Sequence, residues 1–256
     1  MSEIWRLLKT GIKDAYYNMA LDEAITTARS KDLVPNTLRF FRWGPSAVSI
    51  GYFQSMVDEV DVKACEVKGV DYVRRMTGGG AVYHDRNGEL TYSIAVPTKH
   101  RLISSDIQKT YGILCDGLIE GFKILGIPAE FKPINDILVG GKKISGNAQT
   151  RRMGIVHQHG TILVEVDPYL MFSLLKVPDE KIRDKQISAV EERVTSTNKY
   201  LGRDVSFDEL EGAFRRGFEI ALDIELITSD PIEYEISLAN NLKKEKFSHK
   251  EWNFKR

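Results

Sequence analysis

The chain has 256 residues, and its 36 Lys and Arg are balanced by 36 Asp and Glu, so the formal net charge is zero. That balance argues against a nucleic-acid protein driven by bulk charge, and no apolar stretch is long enough to cross a membrane or to form the core of a signal peptide, so a cytoplasmic protein is expected. Only Cys65 and Cys115 are present, too few for a disulfide scaffold and without metal-site spacing, while the length suits one substantial core.

Taken in order, Ile4 to Lys9 reads as a strand. Asp14 fits an N-cap for a helix carrying Met19, Leu21, Ala24 and Ile25, with Asp22 and Glu23 turned elsewhere. Thr37 to Arg42, which alternates only in part, and Ala47 to Ile50 read as short strands able to pair. A helix over Asp61 to Val67 leads into a strand from Tyr72 to Arg75. Leu90 to Val96 reads as the return strand, with Thr91 and Ser93 on one face, so the loop between is expected to hang between two strands of a sheet.

Ile107 to Leu125 has apolar residues near helical spacing and stops at Gly126, before Pro128. Ile134 to Val139, Lys143 to Gly146 and Ile155 to Val166 read as strands, with Gly140-Gly141 turning between the first two. Tyr169 to Lys176, Phe207 to Leu222 and Ile232 to Lys243 read as helices, so the last third is expected to be mainly helical. Both cysteines fall in helices. The chain as a whole reads as α+β (mixed α/β), mixed sheets flanked by helices, in one domain over 1–256.

The chemistry concentrates in Arg74-Arg75-Met76-Thr77-Gly78-Gly79-Gly80-Ala81-Val82-Tyr83-His84-Asp85. Three successive glycines let the backbone approach a ligand and turn N–H groups toward it, and the arginines add permanent positive charge, a combination suited to a phosphate or a carboxylate. Neither a dinucleotide fingerprint nor a P-loop has this spacing. Lys142 and Lys143 lie on adjacent strand positions and so point to opposite faces. His157 and His159, two apart, share a face, which is one metal geometry, although no third ligand is obvious.

This glycine segment closely resembles the signature of lipoate–protein ligases and the related lipoyl and octanoyl transferases. Asn135-Asp136 followed by Gly141-Lys142-Lys143-Ile144-Ser145-Gly146-Asn147-Ala148 resembles the family's catalytic-lysine segment, and His159-Gly160-Thr161-Ile162-Leu163 resembles the strand after it. Leu175-Lys176-Val177-Pro178, Lys181, Lys185 and Glu192-Arg193-Val194-Thr195 resemble its substrate-loop region. The resemblance implies the biotin/lipoyl-ligase-like catalytic fold. It also implies activation of lipoate, or octanoate, by ATP with Mg2+ to an acyl-adenylate, followed by transfer to a lysine of lipoyl-acceptor domains such as the E2 subunit of 2-oxoacid dehydrogenases or the glycine cleavage H protein.

Carried over residue by residue, the resemblance makes Lys143 the catalytic cation, bridging carboxylate and α-phosphate. Arg75 would bind the phosphates or the carboxylate end of lipoate. Gly80, Ala81, Val82, Tyr83, Asn135, Asp136 and Ala148 would contact ATP, with Asp136 a candidate for the divalent ion. Gly78, Gly79, His84, Gly146, His159 and Gly160 would line the lipoate site, with Val82 and Ile50 as candidate apolar wall. Full-length bacterial ligases of this kind carry a small C-terminal accessory domain that has no counterpart here, so a separate small accessory subunit is expected. The rivals are an octanoyl or lipoyl transferase of the same fold, which takes its acyl group from acyl carrier protein through a thiol, and a non-catalytic subunit. No thiol stands near Pro133 to Asp136, where the cysteine-using relatives carry it.

Overall fold

A computed structural model describes residues 2–176, 187–189 and 191–256. It contains an eight-stranded mixed sheet in the order β11-β1-β2-β6-β10-β9-β8-β7, with helices on both faces. The strands are β1 (Glu3–Lys13), β2 (Thr37–Trp43), β6 (Glu89–Pro97), β7 (Glu130–Lys132), β8 (Asp136–Val139), β9 (Lys142–Arg152), β10 (Ile155–Leu163) and β11 (Ile224–Ser229). β1 pairs in parallel with both β2 and β11, and the other pairs are antiparallel.

Alternation along the strands assigns the faces. Leu7 and Phe40 pack under α4 (Ile107–Ile124) and α7 (Phe207–Leu222), whereas their neighbours Leu8 and Phe41 pack under α1 (Ala15–Ser30) and α8 (Glu233–Leu242). A strand covered on both sides need not alternate polar with apolar, which is why β2 reads as Thr-Leu-Arg-Phe-Phe-Arg-Trp. α1 starts as expected, with the Asp14 carboxylate accepting from the Tyr17 N–H. Asp22, expected to turn away, is instead buried on the sheet side of α1, where Arg39 of β2 neutralises it.

α4 and α7 pack closely through glycine. A Cβ on Gly217 would lie 2.5 Å from the Gly117 carbonyl oxygen and 2.7 Å from Gly121 Cα, both backbone atoms that cannot move aside. Gly217→Ala is therefore expected to separate the helices and destabilise the fold by about 1–3 kcal/mol, read as a lower urea midpoint.

A second sheet of three strands carries the glycine loop. β3 (Ala47–Ile50) lies between β4 (Asp71–Arg74), parallel to it, and β5 (Val82–His84), antiparallel to it. The loop thus joins the outer two strands of a small sheet, not a strand and its return strand; Leu90 to Val96 belongs to β6 of the large sheet. The last third is also less helical than expected, because Ile224–Ser229 forms edge strand β11 on β1. Between α5 (Pro168–Leu174) and α6 (Thr197–Leu201), Val177, Pro178, Lys181 and Lys185 of the expected substrate loop lie outside the described residues. Among the described residues, no helix is long and apolar enough to cross a membrane.

Candidate functional site

β9 and β10 lie side by side, pairing Gly160 with Asn147 and His159 with Ala148, so two of the segments singled out in the sequence are adjacent. The glycine loop completes a cavity of about 330 Å³ with them. Of the expected residues, Arg75, Gly79, Gly80, Ala81, Val82, Tyr83, His84, Asn135, Lys143, Gly146, Ala148, His159 and Gly160 line it. Gly78 and Asp136 stand just behind: the first accepts from Arg75, the second holds Lys143. Ile50 does not reach the cavity; it is fully buried in the small sheet's own core.

Lys143 enters from the start of β9, after the Gly140-Gly141 turn. Its ammonium pairs with Asp136 at 2.7 Å, and both side chains remain about one-third exposed, at 37 % and 34 %. Gly146 makes this possible: a Cβ there would stand 2.7 Å from both Cε and Nζ of Lys143, so the lysine stem lies across a bare backbone. Lys142 turns away and donates to the Glu191 carbonyl. Thr195 N–H donates to the Lys143 carbonyl at 2.8 Å, which fastens the expected substrate-loop region to the lysine's own peptide.

The two arginines of the motif separate. Arg74 turns away from the cavity, fully buried, and donates to the carbonyls of Tyr52, Trp252 and Asn253, while its N–H donates to Asn253 Oδ1. Arg75 turns inward with every donor engaged: Nε on Thr77, one terminal nitrogen on Ser49, the other on the Gly78 and Gly80 carbonyls at 2.7 and 2.8 Å. It is 4 % exposed, and burial pushes its pKa down to about 10, which still leaves a full positive charge at neutral pH. Arg75 thus sets the shape of the loop from behind. Among the described residues, the N–H groups of Gly79 and Gly80 have no protein acceptor.

His84 is fixed at both nitrogens, Nδ1 to Glu89 at 2.9 Å and Nε2 to Ser49 Oγ at 2.8 Å, and its ring stacks on Trp43 with centroids 4.0 Å apart. It serves as a rigid wall. His159 Nε2 meets Thr77 Oγ1 at 2.8 Å, and burial pushes its pKa down to about 4, so the ring is neutral at pH 7. Asn135 and Asn147 bond each other's backbone carbonyls and close the wall beside Gly160. Met19, Trp43, Ser49, Glu89, Thr91 and Met171 also line the cavity, and none was picked out as a site residue from the sequence; Met19, Trp43, Ser49 and Met171 come from elements remote from the motifs, and Glu89 and Thr91 follow the glycine motif in β6.

Neither cysteine lines this cavity. Both are fully buried, Cys65 in the small sheet's core and Cys115 on the core-facing side of α4. Burial pushes the Cys65 thiol up to about 11 and the Cys115 thiol higher still.

Residues 14–219 match the lipoyl protein ligase A/B catalytic domain. The octanoyltransferase LipM of Brevibacillus brevis is 36 % identical over 99 % of this chain and 100 % of its own length. That of Symbiobacterium thermophilum is 37 % identical over 100 % of both. Among solved structures, the bi-partite lipoate protein ligase of Thermoplasma acidophilum, studied with its E2 lipoyl domain, superposes with a TM-score of 0.88 at 35 % identity, covering 98 % of this chain and 96 % of the other. A lipoate-protein ligase A bound with ATP superposes at 0.83 and 32 % identity, covering 99 % of each. With the matched domain spanning most of the chain and the glycine loop, Lys143 hairpin and His159 strand meeting at one cavity, the chain belongs to the lipoyl protein ligase A/B catalytic domain family.

Proposed function

We propose that this enzyme joins lipoate, or octanoate, to the α-phosphate of ATP, displacing pyrophosphate to give an acyl-adenylate, and then passes the acyl group to a lysine of a lipoyl-acceptor domain with release of AMP. The observation that carries this reading is a cavity that offers a lysine and no thiol. Transfer through a thioester needs a thiolate in contact with substrate, and both cysteines are buried elsewhere with raised pKa values.

Adenylation brings a carboxylate against an α-phosphate, so it needs fixed positive charge and N–H donors in place before reaction. The Lys143 ammonium supplies the mobile cation, and the N–H groups of Gly79 and Gly80 supply donors on a loop stiffened by Arg75. As the substrates enter, Lys143 exchanges Asp136 for the two anions, and its charge then stays on the carbonyl oxygen while the acceptor amine attacks. Mg2+ would arrive on the ATP phosphates, with Asp136 as the nearest candidate protein oxygen. A hard cation of that kind keeps several waters and needs few protein ligands.

The names of the similar octanoyltransferases favour a second reading, direct transfer of octanoate from a carrier protein. The description of the Thermoplasma acidophilum relative as bi-partite supports a separate small accessory subunit here, needed chiefly for adenylation. Such a system would work in the cytoplasm. One experiment separates these readings: a Cys65→Ala, Cys115→Ala double variant is given lipoate with ATP, preformed lipoyl-adenylate, or octanoyl carrier protein, each with an acceptor domain. We expect wild-type acylation from the adenylate, weaker acylation from lipoate with ATP, and none from the carrier protein. Acylation from the carrier protein alone would replace the ligase with a transferase, and a folded variant inactive with all three would defeat both.

A further inference from the structure

His157 lies on the same face of β10 as His159, and α1 supplies what the sequence did not reveal, a third ligand. One ligand atom from each of Asp22, His157 and His159 lies within 4.8 Å of the other two, on residues only 1, 2 and 8 % exposed. Among the described residues, neither Asp22 Oδ2 nor His157 Nε2 has a hydrogen-bond partner.

Proton placement sharpens the point. The Thr26 hydroxyl donates to the Asp22 carbonyl at 2.7 Å, so toward His157 Nδ1, 3.3 Å away, it can only accept. His157 therefore carries its hydrogen on Nδ1, and in the neutral ring the Nε2 lone pair faces Asp22 Oδ2 across 3.5 Å. Asp22 Oδ1 is already taken by Arg39 and Ser93, each at 2.8 Å. Two acceptors facing each other in a buried site are unfavourable unless something positive lies between them. A proton on Nε2 would draw the pair to the roughly 2.7–2.9 Å of a charge-assisted bond. The observed edges are longer, 3.5 Å to His157 and 3.4 Å from Asp22 Oδ2 to His159 Nδ1. An ion held about 2.0–2.1 Å from tetrahedrally arranged ligands sets them roughly 3.3 Å apart.

We propose that Asp22, His157 and His159 bind a divalent ion of the zinc class, which clamps α1 to β10 beneath the glycine loop. Two imidazoles and one carboxylate suit zinc or cobalt and not magnesium, so this site is separate from any ion travelling with ATP. The far nitrogen of each ring is held by a threonine, His157 by Thr26 and His159 by Thr77, the outer-shell arrangement that fixes ligating imidazoles. His159 also lines the cavity and gives the ion a route inward. Arg39, on the other carboxylate oxygen, opposes the ion's charge and makes the site weaker than a closed structural one.

The test uses the whole chain, stripped with a chelator and titrated with Co2+ and with Zn2+. We expect one equivalent of Co2+ to bind with the visible absorption of a tetrahedral complex, Zn2+ to displace it, and the melting temperature to rise with added metal. His157→Gln should abolish all three, and Thr26→Val, which keeps the three ligands, should weaken binding by about 10–100-fold. No stoichiometric uptake by the wild type, or uptake unchanged in His157→Gln, would overturn the proposal. If His157→Gln fails to fold, unchanged affinity in Thr26→Val would overturn it instead. The readouts are independent of acyl transfer, so the site and the ligase reading stand or fall separately.

Discussion

Lys143→Ala should lower acyl-adenylate formation by about a hundredfold or more while leaving the fold intact. Removing one preorganised donor aimed at developing charge typically costs that much. The fold should tolerate the change because the side chain is more than one-third exposed and packs across Gly146 instead of into a core. Lys142→Ala, one position away and turned outward, is the matched control and should change the rate little. The measurement is mass-spectrometric detection of the adenylate under single turnover, with circular dichroism to confirm folding. A Lys143→Ala protein that formed adenylate at the wild-type rate would remove Lys143 from the chemistry.

The largest effect on stability is expected at Asp22→Ala. Arg39 is completely buried, and Asp22 is its carboxylate partner; the other donors of Arg39 go to Thr10 and to the side chain and carbonyl of Asn18. Despite burial, which alone would raise it, the positive charge and hydrogen bonds around Asp22, the Arg39 guanidinium among them, hold its carboxyl well below the usual range, so the pair is ionised at neutral pH. Breaking a buried pair from one side leaves an uncompensated charge and costs about 3–5 kcal/mol. Urea unfolding of Asp22→Ala should show that loss, and adding Arg39→Met should recover much of it. A loss no larger than that of an exposed ion pair would mean that Arg39 is solvated in a way the fold does not suggest.

Local signals were legible in the sequence, and long-range ones were not. Asp14 announces α1 because a cap acts within three residues, and Gly140-Gly141 announces the hairpin because two such turns leave little choice. The glycine loop stood out as a candidate ligand site from its own residues, whereas Lys143 stood out only because Asn135-Asp136 and Ser145 to Ala148 around it resemble a known segment. β11 was hidden: four of its six residues are exposed, and its partner β1 lies more than two hundred residues earlier, a pairing on which local propensity is silent. Asp22 was misplaced for a related reason. A carboxylate on a helix is normally solvated, and only Arg39, from another strand, makes its burial favourable. The cavity walls made by Trp43, Glu89 and Met171 likewise belong to tertiary contact. Arg75 was expected to hold a phosphate or carboxylate, but its donors go to Thr77, Ser49 and the loop's own carbonyls, bonds that depend on the loop's path, which composition does not specify.

The fastening of Arg74 to the C-terminal segment bears on when the cavity can form during synthesis. Its backbone N–H is held by Asn253, 179 positions later in the chain, and its carbonyl by the indole of Trp252. A ribosome adds residues in order, at about 5–20 per second, so the strand that delivers the glycine loop waits roughly 10–40 seconds for these fastenings. Until then the large sheet can begin to assemble from β1 and β2, whereas the glycine-loop end of the cavity stays unlatched. The cavity is thus among the last features of the fold to take its final shape.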